Sequence, residues 1–465
     1  MPKAPSSAAQ PTSSGVVEHA GGFNRKIFRA TAVLTAVSSL VLVASTAKEL
    51  AVASYFGRSD ALDAFLIAYV LPAFVVNIVA GSFNAAVIPT YIEARETEGR
   101  EAAQRLFSGA MTWSLGLLGA LSVLLAALAP YYLPLLGSRF SASKLLLTRH
   151  LLYVLLPLVV MSALTVNWTA VLNAGEKFAL PAALPALTPL TALGFLVALG
   201  RAWGIYALAV GTVIGTALQA SGLAWTARAH GVRLTPHWYG LDARLRQLIG
   251  QYAPMVAGAL LMGTTDLVDQ SMAAMLERGS VSALNYARKI VSVLLVVGAI
   301  PLSTVSLPYF SEMVVKGDWD SCRHTLRTYA GLIALVTVPL TAGLVVFARP
   351  LVHILFERGA FSARDTAVVG RVEALLALQI PFYVLASMGV RVVSALKRNA
   401  LLMTFAAVSA VLNVVLNLLL MRRYGVAGIA LSTSIVYLVS CTLVFGSLYL
   451  LISRPPARIP ARDDA

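Results

Sequence analysis

The chain has 465 residues, of which 58% are hydrophobic and 12% are charged, and its mean hydropathy is +0.78. Soluble chains carry about 25% charged residues, so this composition excludes a soluble enzyme and indicates an all-α polytopic membrane protein without a large soluble domain. The net charge of +15 fits the accumulation of Lys and Arg in cytoplasmic loops, and we expect no nucleic-acid partner.

The chain begins with a predicted disordered cytoplasmic tail, because residues 1–23 are rich in Ala, Ser, Pro and Gly. Twelve apolar segments of transmembrane length follow. An even number of spans, combined with the distribution of Lys and Arg, places both termini in the cytoplasm. The predicted segments are 29–55, 62–92, 106–136, 146–172, 178–200, 203–228, 247–276, 283–314, 327–356, 368–395, 400–421 and 425–452.

The two halves of the sequence repeat each other. The stretch GIYALAVGT from Gly204 matches GVAGIALST from Gly425, at an offset of 221 residues. This predicts two parallel six-helix repeats around a central cavity, with the substrate site between the lobes. The predicted parts are the cytoplasmic tail 1–28, the N-lobe 29–230, the cytoplasmic linker 231–246, the C-lobe 247–453 and the cytoplasmic tail 454–465.

Charged residues inside the predicted spans are the strongest local indication of function, since each costs about 2.5–3.5 kcal/mol at a helix centre. Lys48 and Glu49 lie in the first span, Arg288 and Lys289 in the eighth, and Arg391 in the tenth. One interpretation is that several of them lie near the interfaces and snorkel. The other is a cationic cavity for an anionic substrate, in which the two lysines bind phosphate or carboxylate.

A second group of polar residues lies in the C-terminal half. Asp269 lies on the seventh predicted span, Asn413 and Asn417 on the eleventh, and Thr433 on the twelfth. These are oxygen ligands of the kind that suits a hard cation such as Na⁺. Interhelical hydrogen bonding that holds the bundle together is the alternative. No other cofactor is expected, because the sequence contains no zinc, nucleotide-binding or hydrolase motif.

Several motifs resemble a known family. ASYFGRSDALDAFLIAYVLPAF, ERGSVSALNYARK and LFERGAFSARDT are similar to the MurJ/MviN lipid II flippases of the MOP superfamily, with similarity over residues 38–452. The resemblance implies an alternating-access flippase of the bacterial cytoplasmic membrane, and not an enzyme. It would move an undecaprenyl-diphosphate-linked saccharide, lipid II or a polysaccharide repeat unit, from the inner to the outer leaflet, driven by an ion gradient or the membrane potential. We expect a monomer, because the cavity lies within one chain.

The resemblance also assigns roles by position. Lys48 and Glu49 take the place of an Arg-Asp pair, Asp63 is the acid of the DAF motif, and Lys289 is the basic residue after the family's YAD. The candidate substrate-binding residues are Lys48, Glu49, Asp63, Arg288, Lys289 and Arg391. The residues that fall where the family can hold Na⁺ are Asp269, Asn413, Asn417, Thr433 and the carbonyl of Ile429.

The sequence departs from the family in two respects. Family members commonly have fourteen spans and further arginines in the first two, whereas Leu42 stands here where an arginine is expected. These differences favour a lipid-linked glycan other than lipid II.

Two other functions agree with only part of this pattern. A cation-coupled multidrug exporter of the MATE type shares the two-lobe plan, but an exporter of organic cations would need an acidic cavity. A membrane-bound glycan ligase or polymerase would need a sizeable outer loop, and the predicted outer loops are short.

Overall fold

The computed structural model describes residues 37–453, except for 176, 233, 236, 241 and 397. The described residues form helices joined by short loops and contain no strand, which confirms the all-α class. The predicted tails 1–28 and 454–465 lie outside the described residues.

Two helices in the first half of the chain begin at side-chain caps. Ser59 accepts a hydrogen bond from the backbone N–H of Leu62, and Ser141 accepts one from Lys144. The helices are α1 (Val37–Phe56), α2 (Asp60–Thr97), α3 (Arg100–Leu136), α4 (Ala142–Leu155), α5 (Pro157–Ala174), α6 (Ala179–Ala183), α7 (Leu187–Trp203) and α8 (Ile205–Ala229), with a 3-10 turn at Leu184–Ala186.

The second half uses the same kind of cap. Asp242, Asp318 and Ser362 each accept a backbone N–H at a helix start. The first of these helices begins within the predicted linker 231–246. The helices are α9 (Ala243–Ala274), α10 (Ser280–Lys316), α11 (Trp319–Phe356), α12 (Ala363–Ala377), α13 (Gln379–Ala395), α14 (Asn399–Tyr424) and α15 (Val426–Ser453).

The two halves turn and break at equivalent positions, which confirms the repeat. Gly204 joins α7 to α8 with a φ of 54°, and Gly425 joins α14 to α15 with a φ of 59°. Leu156 separates α4 from α5 just as Leu378 separates α12 from α13. Left-handed backbone favours glycine, so the repeated glycines mark a repeated turn.

Ten helical stretches among the described residues are long and apolar enough to cross a membrane. The joined pairs α4–α5 and α12–α13 each count as one of these stretches. The long helices α9 and α10 coincide with the seventh and eighth predicted segments. The protein is therefore a multi-pass membrane protein, and the count of twelve spans stays a prediction.

The largest buried cluster joins the two halves. Leu62 and Ala64 of α2 belong to the same apolar cluster as Leu284 and Ala287 of α10. Helix α2 also packs along α9, where Gly263 approaches the ring of Phe74. Burial of this apolar surface holds α2 between its own lobe and the second one.

Candidate functional site

Two lysines from opposite halves of the chain meet at one carboxylate. Lys48 Nζ lies 2.8 Å from Glu49 Oε1, and Lys289 Nζ of α10 lies 3.6 Å from the same oxygen. The Glu49 side chain is 8% exposed, whereas those of Lys48 and Lys289 are 22% and 42% exposed. These three residues, called the Glu49 cluster below, therefore carry one excess positive charge that is partly accessible to a ligand.

Tyr69 of α2 borders the Glu49 cluster. It interacts electrostatically with Lys48 and stacks on Phe65, with ring centroids 6.0 Å apart. Its side chain is partly exposed. The phenol therefore supplies a hydrogen-bonding group beside the cationic one, although nothing in the sequence pattern had marked it.

Asp63 takes a different position from the Glu49 cluster, in a buried contact between the lobes. Its Oδ2 accepts hydrogen bonds from the backbone N–H of Gly279 at 2.8 Å and from Lys144 Nζ at 3.1 Å. Its Oδ1 accepts two more from Ser282, at 2.9 Å from the backbone N–H and 2.5 Å from the hydroxyl. A carboxylate from α2 thus caps the N-terminus of α10, where the helix dipole favours a negative charge.

Further contacts join the two lobes at the same end of the protein. Arg58 donates through Nε to the carbonyl of Gly279 at 3.0 Å and lies 3.5 Å from Asp365 at the start of α12. The backbone N–H of Ala360 donates to the carbonyl of Ser54 at 2.8 Å. Residues 54–63, 279–286 and 357–365, together with Lys144, form what we call the lobe junction.

Two glycines allow the backbones to meet at the lobe junction. Gly57 has a φ of 51°, and a Cβ there would collide with the carbonyl oxygen of Ala360. Gly359 has a φ of 63°, and a Cβ there would contact the carbonyl oxygen of Ser54. Both positions require glycine for the backbone conformation and for space.

The residues of the predicted sodium site lie together in the second half. Asp269 Oδ1 accepts from Asn413 Nδ2 at 3.0 Å and from Asn417 Nδ2 at 2.7 Å. The Thr433 hydroxyl lies 3.1 Å from Asp269 Oδ2 and 3.0 Å from the carbonyl oxygen of Ile429. Asp269 and both asparagines are fully buried.

A guanidinium reaches the same carboxylate. Arg288 Nη2 is hydrogen-bonded to Asp269 Oδ2, and Arg288 Nη1 lies 2.9 Å from Asp266 Oδ1. The carboxylate of Asp269 therefore receives the guanidinium, two amide groups and a hydroxyl, and both of its oxygens have partners.

Whether this site fits Na⁺ depends on which atoms face Asp269. The ion needs oxygen lone pairs, but the asparagines direct N–H groups at Asp269, and Arg288 neutralises its charge. Two unit charges about 4 Å apart repel by about 4 kcal/mol at an effective dielectric constant of about 20. The residues present therefore do not fit Na⁺ while Arg288 contacts Asp269. Binding of Na⁺ at this site stays a prediction, and it would require Arg288 to move away from the carboxylate.

The structure does not bring all of the predicted residues together. Arg391 is exposed on α13 and joins none of the ion pairs described within residues 37–453. The sequence analysis missed Lys144, Arg58 and Asp365 in the lobe junction. Asp365 had a local signal, since it forms a capping box with Ser362, but the partners of Lys144 and Arg58 lie far away in the sequence.

The sequence matches one family over most of its length. The family model described as lipid II flippase MurJ matches residues 52–454. The probable lipid II flippase MurJ of Rhizobium meliloti (strain 1021) is 27% identical over 415 residues, which cover 86% of this chain and 76% of that protein. The probable lipid II flippase MurJ of Rickettsia prowazekii (strain Madrid E) is 25% identical over 417 residues, covering 88% of this chain and 81% of that protein.

Solved structures share the fold. A lipid II flippase MurJ in an inward closed conformation superposes with a TM-score of 0.78 at 22% identity, covering 90% of this chain and 89% of that one. An inward-facing MATE family multidrug transporter of the MOP superfamily superposes with a TM-score of 0.74 at 11% identity, covering 90% and 98%. The two-lobe architecture is therefore common to both groups of transporters.

Proposed function

We propose that this chain, which belongs to the lipid II flippase MurJ family, flips an undecaprenyl-diphosphate-linked saccharide from the inner to the outer leaflet of the bacterial cytoplasmic membrane. The substrate is lipid II or a related lipid-linked glycan. The names of the relatives support the lipid-linked precursor. The protein acts as a transporter, not as an enzyme, and works as a monomer because both halves of the site come from one chain.

The observation that supports this proposal most directly is the excess positive charge of the Glu49 cluster. A diphosphate presents several acceptor oxygens and negative charges, and a Lys ammonium binds such a group as a point charge. Glu49 holds the two ammonium groups in place before the substrate arrives. The diphosphate then neutralises the excess positive charge that the three side chains leave.

The origin of the two lysines links binding to conformational change. Lys48 belongs to α1 and Lys289 to α10, so a bound diphosphate contacts both halves at once. A ligand shifts a conformational equilibrium only by binding one state more tightly than the other. Contact with both halves provides this difference, because moving the lobes apart would separate the lysines.

The lobe junction supports alternating access. With both termini in the cytoplasm, the loop between α1 and α2 lies on the outer side, and the junction closes that side. Release of the substrate outward requires the bonds of Asp63 and Arg58 to break while the inner side closes. An ion gradient or the membrane potential would supply the energy, the latter about 2.3 kcal/mol per charge per 100 mV.

Export of organic cations is the second candidate function. The fold that it shares with a MATE transporter supports it. The excess positive charge of the Glu49 cluster disfavours it, since a cationic drug would be repelled there. We therefore place it after the flippase.

Depletion of the protein in its native host tests the proposal. Extracted lipids are analysed by mass spectrometry for undecaprenyl-linked saccharides, and one such intermediate is expected to accumulate. Lipid II or another linked glycan identifies the substrate, and no accumulation contradicts the proposal.

Complementation with variants tests the role of the lysines. The double variant Lys48→Met/Lys289→Met is expected to leave the accumulation in place, because nothing then binds the diphosphate. Arg201→Met removes an exposed charge at the end of α7 and should restore the normal lipid profile. Restoration by the double variant, at equal protein levels, contradicts the assignment of the Glu49 cluster.

A further inference from the structure

We propose that Arg288 serves as a tethered cation at Asp269, so that the side chain takes the place of a bound Na⁺ ion. The site then needs no ion while the guanidinium is present. This goes beyond the proposed flippase activity, because it concerns what balances the buried charge in the second lobe.

The first support is the surroundings of Asp269. Its carboxylate is fully buried and receives bonds from α10, α14 and α15. A buried carboxylate requires a cation or several donors. Arg288 supplies the only full positive charge among the partners described for it, since the other donors are amides and a hydroxyl.

The second support is what the site becomes without the guanidinium. One negative charge would remain, together with oxygens from two asparagines, the Thr433 hydroxyl and the carbonyl of Ile429. The amide oxygen of Asn417 is already buried without a hydrogen-bond partner. Rotating the amides would turn their oxygens towards the vacated space, which gives an all-oxygen set suited to Na⁺.

The third support is charge balance. The charges of Asp269 and Arg288 cancel each other. The side chain of Asp266 is 78% exposed, so solvent screens its charge. Adding Na⁺ beside the bound guanidinium would leave an extra buried positive charge. Removing the guanidinium would leave one buried negative charge, and binding of a monovalent cation would then be favourable.

The position of Arg288 connects this site to the substrate. It precedes Lys289 on α10, and successive residues of a helix point about 100° apart. Lys289 faces Glu49 of the first half, while Arg288 faces Asp269 of the second. A movement of α10 that follows binding at the Glu49 cluster would therefore also move the tethered cation.

Binding measurements on the purified full-length protein test the proposal without any lipid substrate, so they stay informative even if the flippase assignment fails. Retention of ²²Na⁺ and the thermal unfolding midpoint are measured in NaCl and in choline chloride of equal ionic strength. A ligand that binds only the folded state raises the midpoint. Wild type is expected to show neither Na⁺-specific retention nor a Na⁺-specific shift.

The variant Arg288→Met is expected to gain both properties, with a saturable rise of a few °C. The double variant Arg288→Met/Asp269→Asn should lose them again. Lys289→Met removes the neighbouring charge but leaves Arg288 on Asp269, and so should behave like wild type towards Na⁺.

Two results would overturn the proposal. One is saturable Na⁺ binding by wild type that Asp269→Asn abolishes. The other is a folded Arg288→Met variant that binds no Na⁺. If Arg288→Met is too unstable to purify, the wild-type measurement decides alone: specific retention contradicts the proposal, and its absence supports it.

Discussion

At the scale of single residues, Asp63 is the carboxylate of the lobe junction that accepts the most hydrogen bonds among those described. Its side chain is 2% exposed and accepts four hydrogen bonds, from Gly279, Lys144 and Ser282. Bonds to an ionised group are stronger than neutral ones. Lys144 also has a second carboxylate partner, Asp60 Oδ1 at 2.8 Å, whereas Gly279 and Ser282 have only Asp63 among the acceptors described for them. Asp63 is therefore the residue on which closure of the lobe junction depends most.

The variant Asp63→Asn should weaken the closed junction by about 2 kcal/mol, because the N-terminus of α10 loses a charged acceptor while Lys144 keeps its ion pair with Asp60. The variant Tyr69→Cys, beside the Glu49 cluster, reports the opening of the lobe junction. Its labelling from outside by a membrane-impermeant thiol reagent should rise about tenfold for each 1.4 kcal/mol lost. The native Cys322 and Cys441 are both buried.

Ser282→Ala is the matched control for Asp63→Asn. It removes the hydroxyl bond to Asp63 but keeps the bond from the backbone N–H, so it should cost about 1 kcal/mol. Equal labelling of Asp63→Asn and wild type would show that this carboxylate does not hold the junction closed.

Two neighbouring charged residues have different partners, which the sequence did not predict. Arg288 and Lys289 are neighbours, and sequence analysis placed both in one cationic cavity. The structure directs only Lys289 to Glu49 and pairs Arg288 with Asp269. Residue type and position in the sequence cannot distinguish these outcomes, because they depend on how α10 is rotated between α1 and α9.

At the scale of helices and loops, glycines 57 and 359 determine how closely the backbones of the lobe junction approach. Gly57 and Gly231 both have positive φ, 51° and 78°. A Cβ on Gly57 would collide with Ala360, whereas one on Gly231 would meet nothing within 4 Å. The pair therefore separates the effect of backbone conformation from that of contact.

Gly231→Ala should cost about 1 kcal/mol of folding stability, since only the left-handed backbone after α8 is penalised. Gly57→Ala should cost more and should also increase outside labelling at position 69, because the added methyl group pushes the loop at Ala360 away. Thermal unfolding and the labelling rate measure the two effects. Equal stability of the two variants with no increase in labelling would contradict the assigned role of this contact.

The sequence predicted elements better than contacts between them. Apolar length predicted the membrane segments, and the offset of 221 residues predicted a repeat in which Gly204 and Gly425 make equivalent turns. The sequence did not predict the pairing of Arg58 with Asp365, which are 307 residues apart. Periodicity describes one helix at a time, so it cannot reveal a contact between two lobes.

At the scale of the whole molecule, the two repeats have taken on different roles. In the second lobe, Asp269 is neutralised within its own half by Arg288. The Glu49 cluster draws its cations from both halves and keeps an excess of charge. This asymmetry gives the protein one site that a substrate can bridge and one that is balanced internally.

We propose that the Glu49 cluster binds the diphosphate of a lipid-linked saccharide while the lipid crosses the membrane. The most direct measurement is translocation of fluorescently labelled lipid II, or of the glycan lipid found on depletion, in vesicles containing the purified protein. Wild type and Arg201→Met should flip the lipid at similar rates, and Lys48→Met/Lys289→Met should fall to the rate of protein-free vesicles. Translocation by the double variant at the wild-type rate would contradict the account.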